Sequence, residues 1–176
     1  QTVRDVVLSA VSQKGMAFVF APSLCNDRDV VLTAVHQDGD ALQYASETLR
    51  NDREVVLTAV TQFGRALQYA PPWLRNDRGA ALAAVSQDGE ALQYVSEAVR
   101  RDRDFVLEAV SRNTAVLLYT PEALRDDEEI VRVAVFRNWR AVRYIFSPRL
   151  RERMRRAGPV ETRLLFRYMD HPYDLP

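Results

Sequence analysis

Apolar residues along this chain fall in a pattern that returns every 25 residues. Residues 25–49 read CNDRDVVLTAVHQDGDALQYASETL and residues 50–74 read RNDREVVLTAVTQFGRALQYAPPWL. Residues 75–99 read RNDRGAALAAVSQDGEALQYVSEAV and residues 100–124 read RRDRDFVLEAVSRNTAVLLYTPEAL. The first 24 residues are the same unit without its lead-in. Residues 125–150 form a sixth, degraded copy with one residue inserted near Pro148. Tyr44, Tyr69, Tyr94, Tyr119 and Tyr144 keep the register, as do Asp27, Asp52, Asp77, Asp102 and Asp127. A fixed period of this length marks a row of small units, each too small to bury its own apolar face and each covered by the next.

Within residues 50–74 the pattern predicts two helices. Asn51 or Asp52 caps the first, helix A, because either side chain accepts from first-turn amides; Asn51 with Glu54 also fits a capping box. Val55, Val56, Leu57, Ala59 and Val60 cover most of the helix circumference, so helix A is expected to be buried on more than one side. Gly64 is read as the left-handed stop of helix A, with Gly15, Gly39 and Gly89 in the same place. Helix B is expected over Arg65–Ala70, with Ala66, Leu67 and Tyr69 inward and with Pro71 and Pro72 ending it. Ser46 and Ser96, which stand where Pro71 stands, are expected to cap a further turn over Glu47–Leu49 and Glu97–Val99.

The expected fold is all-α: a right-handed α-solenoid of about six stacked helix-turn-helix repeats over residues 1–150, followed by a non-repeat helical cap and extended tail over 151–176. In the sixth unit Glu128, Arg132 and Trp139 replace the repeated Arg, Leu and Gly. In the cap, RERMRRAGP reads as a charged helix and VETRLLFRYM as a final helix with Leu164, Leu165, Tyr168 and Met169 inward. The first unit has no such cap, so Val3, Val6 and Val7 are expected on an open end that further repeats or a partner would cover.

Charge adds an asymmetry. The formal net charge is zero, which disfavours a uniformly basic nucleic-acid binder. Residues 1–129 nevertheless hold 13 Lys plus Arg against 20 Asp plus Glu, and residues 130–176 hold 11 Arg against 4 acids. Cys25 is the only cysteine, so no internal disulfide forms. No apolar run reaches membrane-spanning length. A soluble, intracellular protein is expected.

The string DREVVLTAVTQFGRALQYA at 52–70, followed by LRND at 74–77, resembles the repeat called domain of unknown function 4116, and the resemblance covers about residues 1–150. It implies an α-repeat fold and an interaction role by analogy, and brings no catalytic residue with it. The family occurs in algae and the chain starts at Gln1. Within this class these point to an accessory subunit of an organellar or photosynthetic assembly, and to a plastid or other organelle as an alternative location.

Candidate chemistry is sparse. His36 and His171 lie far apart, no zinc-ligand spacing or phosphate loop is present, and no acid, base and nucleophile converge. No enzyme, cofactor or metal is expected. Asp52, Arg53, Leu57, Gly64, Leu67 and Tyr69 are read as structural repeat positions, the Asp-Arg pairs serving as caps and inter-unit ion pairs. The tyrosines suit packing better than a stacking platform for single-stranded nucleic acid. Gln37, Gln62 and Gln87, and Gln43, Gln68 and Gln93, do not vary enough to read a sequence, and hydrogen bonding between units is expected of them. Phe63 and Trp73 stand among polar equivalents and are candidate apolar anchors for a partner. The first function expected is therefore a protein-binding scaffold. The alternative is an anion-binding module for RNA or lipid headgroups that uses Arg140, Arg143, Arg149, Arg151, Arg153, Arg155 and Arg156.

Overall fold

A computed structural model describes residues 2–138, and every regular element among them is helical. Each unit opens with helix A: Val3–Gln13, Arg28–Gln37, Arg53–Gln62, Arg78–Gln87, Arg103–Arg112 and Glu128–Arg137 in units one to six. Asp27, Asp52, Asp77, Asp102 and Asp127 are the N-caps of the last five, accepting from amides of the first turn. Asn51 is not the cap, and Glu54 makes no box with it. Its carboxylate turns instead to Arg28 of the preceding unit. The first helix is capped by Thr2 in a reciprocal box with Asp5.

Helix B is a 3-10 helix rather than an α-helix. It runs Gly15–Phe20, Gly39–Tyr44, Gly64–Tyr69, Gly89–Tyr94 and Thr114–Leu118 in units one to five. With three residues per turn, positions three apart share a face. Gly64, Leu67 and Ala70 are accordingly all buried, and so are Gly39, Leu42 and Ala45. A third short helix, C, follows: Pro22–Leu24, Glu47–Arg50, Pro72–Arg75, Glu97–Arg100 and Glu122–Arg125. Ser46 and Ser96 cap it by accepting from Leu49 and Val99 amides. The repeat is thus three elements, not two.

The units stack. Helix A packs on helix A of the next unit, and helix B of units one to three lies against both its own helix A and the following one. Helix A is therefore covered on two sides, and Val30, Val31, Val55, Val56, Ala80, Ala81, Phe105 and Val106 are fully buried. Leu57 is half-buried at the flank of the same core.

The glycine that leads helix B has a different purpose from the one its position suggested. No described residue has a positive φ, and the residue before Gly64, Phe63, ends helix A in extended backbone. A Cβ on Gly64 would collide with the carbonyl oxygen of Ala84 in the next unit, and one on Gly39 with that of Ala59. Glycine is there because two backbones meet. The Gly64 amide also donates to Gln87 Oε1 across the same junction (2.6 Å). Between units four and five the A–A contact is thinner. There Phe105 fills the place of Val30, Val55 and Ala80, and the Arg78 guanidinium lies over its ring at 5.6 Å.

Candidate functional site

One edge of the stack is an ionic ladder built at the start of each helix A. The first-turn arginine of one unit reaches the N-cap aspartate of the next: Arg4 to Asp27 (2.6 Å), Arg28 to Asp52 (3.2 Å), Arg53 to Asp77 (3.3 Å), Arg78 to Asp102 (3.5 Å) and Arg103 to Asp127 (2.8 Å). At three junctions the arginine also takes the acid two residues past the cap, Asp29, Glu54 or Glu129, whereas Arg78 passes Asp104 and reaches Glu108 instead. Gly79 stands in that place in the third junction, and Arg53 has Asp77 alone. Each aspartate thus satisfies its own helix and anchors its neighbour.

The carboxyl groups of Asp27, Asp52, Asp102 and Asp127 are held below the usual carboxylate pKa. For Asp27 and Asp127 the arginine hydrogen bond is the main cause, and for Asp102 it is the Phe105 amide. For Asp52, burial is the largest influence and pushes upward, but the Val55 and Glu54 amides and Arg28 together outweigh it. Groups whose folded pKa lies below the unfolded value, about 3.9, contribute their full stability above roughly pH 4 and lose it as the pH falls through the folded values. Thermal unfolding followed from pH 7 to pH 3 should show a steady drop in Tm that begins near pH 4, and 1 M salt should shrink the drop. A Tm that stays level down to pH 3 would mean the ladder contributes nothing.

On the helix B face the tyrosines pack, and Tyr44 remains 40% exposed. Phe18 and Tyr44 meet edge to face with centroids 6.2 Å apart. The Tyr69 hydroxyl donates to Asp40 of the preceding unit (3.0 Å). Burial, with that carboxylate, pushes its pKa up to about 12. Among the glutamines, Gln87 alone of the six has a hydrogen bond to another unit. Gln43 bonds to Asp40 within its own.

The two aromatic anchor candidates are placed by local structure. Phe63 is half-buried against the core at the end of helix A, so it is not a free-standing anchor. Trp73 is 50% exposed, but its indole Nε1 donates to Asn51 Oδ1 (3.2 Å). In neighbouring units the Ser46 and Ser96 hydroxyls donate to Asn26 and Asn76. Trp73 supplies the donor that Pro71 removed. Asp52, Arg53, Leu57, Gly64, Leu67 and Tyr69 all lie in contacts that hold units together. Arg140, Arg143, Arg149, Arg151, Arg153, Arg155 and Arg156, together with the 151–176 cap and His171, lie outside the described residues.

Two surface features remain. On the first helix A, Val3 is 75% and Val6 53% exposed, whereas Val30, Val55, Ala80, Phe105 and Ile130, the equivalents of Val6, are fully buried. The second feature was missed in the sequence: Arg50, Arg75 and Arg100 end successive C helices, form no ion pair, and each has its Nε buried without an acceptor. Their signal was the recurrence of Arg just ahead of the Asn-Asp or Arg-Asp lead-in. Among the described residues, no group of three or more His, Cys, Asp or Glu is placed to hold a metal ion, and no helix is long and apolar enough to cross a membrane. A depression in the last described units is lined by Arg103, Asp126, Asp127, Glu128, Glu129 and Arg132, several of them ladder residues.

These features define an α-helical tandem-repeat array held together by a ladder of caps, ion pairs and abutting backbones. The model of the family Domain of unknown function (DUF4116) matches residues 4–50, 52–100 and 102–151, and the chain belongs to that family. Each match spans two of the 25-residue units, so the family's repeat is a pair of the structural ones. No curated protein and no solved structure matches the chain.

Proposed function

We propose that the chain is a non-catalytic scaffold that binds another protein, and that Val3 and Val6 on its first helix belong to the contact. One comparison carries the reading: the position of Val6 is fully buried in every other described unit and half-exposed here. Apolar side chains exposed at positions that are buried in the other units suit a partner, or a further repeat, that presents an apolar helical face. The chemistry of the described residues supports the non-catalytic part. His36 is exposed on its own, and the aspartates of the ladder are engaged by amides and arginines. An accessory role within a larger assembly, including an organellar or photosynthetic one, is the form of scaffold this reading favours.

The test is Val6→Asp. Because Val6 is half-exposed, the change should leave the fold and Tm of the free chain nearly unaltered. It should weaken the partner by at least about tenfold, since it removes apolar burial and adds a desolvated charge. Pull-down from native extract with both forms, followed by sedimentation of the complex, reads this out. A stoichiometric partner retained by the Val6→Asp form would place the interface elsewhere.

A further inference from the structure

We propose that Arg50, Arg75, Arg100 and Arg125 form a binding row for an acidic, extended peptide segment with a carboxylate at every third residue. The four stand one period apart, each as the last residue of a helix C. They contrast with the ladder arginines, every one of which is paired to a carboxylate. None of these four has a salt bridge. In Arg50, Arg75 and Arg100 the Nε is buried without an acceptor. In Arg125 the Nε donates to the Thr120 carbonyl (2.6 Å), which shows how the stem is held against the unit. These three side chains are partly exposed, and their terminal guanidinium nitrogens make no hydrogen bond or ion pair among the described residues. A half-buried stem with an open planar end is a cation already ordered for a carboxylate, and ordering is much of what such a contact otherwise costs.

The spacing chooses the ligand. Helices A in direct contact stack roughly 8–10 Å apart, and each helix C of the second to fourth units packs on the helix A that follows it, so the arginines advance by about that step. A polyproline II strand advances about 9.3 Å per turn of three residues and returns every third side chain to one face. A β-strand sends residues three apart to opposite faces and does not fit. The flanking charges argue against a continuous polyanion. Glu47, Glu97 and Glu122 are exposed on the same short helices, three residues before their arginines. Residues 2–138 as a whole hold 15 Lys plus Arg against 20 Asp plus Glu. Phosphates between the arginine contacts would meet those glutamates, whereas a peptide can place uncharged residues there. The anion preference first suggested by the C-terminal arginines thus has a second footing inside the array. It rests on the scaffold reading only in taking the ligand to be protein, and it uses a surface without Val6, so failure at one leaves the other intact.

Fluorescence anisotropy with a labelled (Glu-Pro-Pro)4 peptide tests it, against an isomer of equal composition with its four glutamates clustered. The full chain should bind the spaced peptide about tenfold more tightly than the clustered one. Arg75→Gln should weaken it about fivefold to tenfold, and the triple change R50Q/R75Q/R100Q should abolish binding. Arg75→Lys, which keeps stem and charge but loses the fork, should fall between. Arg112→Gln, an arginine paired to Glu108 on a helix A, should change nothing. Circular dichroism confirms the fold of each variant. The proposal is overturned by absence of binding at millimolar peptide, by equal affinity for the two isomers, by an Arg112→Gln effect as large as that of Arg75→Gln, or by a single-stranded oligonucleotide of equal charge displacing the peptide.

Discussion

Gly64→Ala should destabilise the array by about 3 kcal/mol, at the upper end of the range for overpacking. The added Cβ would meet the Ala84 carbonyl oxygen and stand 3.0 Å from Gln87 Oε1 and 3.1 Å from the Asp88 amide. Two of those three atoms are backbone of the next unit, so no side-chain rotation relieves the overlap. The junction must open, and opening it also strains the bond from the Gly64 amide to Gln87. Had Gly64 been a left-handed helix stop, the cost would have been nearer about 1 kcal/mol and confined to helix A. Urea unfolding of the two forms separates the readings by size. The fifth unit carries Thr114 in this register, and its helix B is one residue shorter, Thr114–Leu118.

Leu67→Ala should cost a comparable or larger amount, about 3–4 kcal/mol, because Leu67 is completely buried where helix B meets the core. Against the total stability of roughly 5–15 kcal/mol typical of a folded chain, either change removes a large fraction. Calorimetry should show the Tm of Leu67→Ala lower by about 6–16 °C, using roughly 2–4 °C per kcal/mol for a chain of this size. A drop of only a degree or two would show that the array repacks around the missing side chain. In a one-dimensional stack the damage should centre on the third unit and its two junctions, not spread evenly.

Much of this architecture was legible before any coordinates. The period gave the units, and the Asp-Arg register gave the caps and inter-unit pairs, because a repeated residue must make the same contact each time. Three things were hidden. The 3-10 geometry of helix B is carried by a period of three, Gly64, Leu67 and Ala70, which a six-residue segment hides among apolar neighbours. The purpose of the glycines depends on how closely two backbones approach, and that distance belongs to the stack rather than to either unit. The N-cap choice between Asn51 and Asp52 is made by Arg28 across the junction, and Asn51 is left to receive Trp73. The surface candidates fared differently from the structural ones. Phe63 and Trp73 were singled out as departures from the pattern, yet both are absorbed by local packing or hydrogen bonding. Arg50, Arg75 and Arg100 kept to the pattern and went unremarked, although they have the buried donors without acceptors.

The central claim is that units are coupled chiefly where glycine-led helix B abuts the next helix A. Site-resolved amide hydrogen exchange tests it most directly, comparing the native chain with Gly64→Ala. In the native chain, amides of helices A from the second to the fourth unit, such as Val35, Val60 and Val85, should share one slow class with a common opening free energy. In Gly64→Ala that class should split at the junction of units three and four, with Val35 and Val60 on one side and Val85 on the other. A native chain in which each unit exchanges at its own rate, or a Gly64→Ala chain whose helices A still open together, would contradict the account.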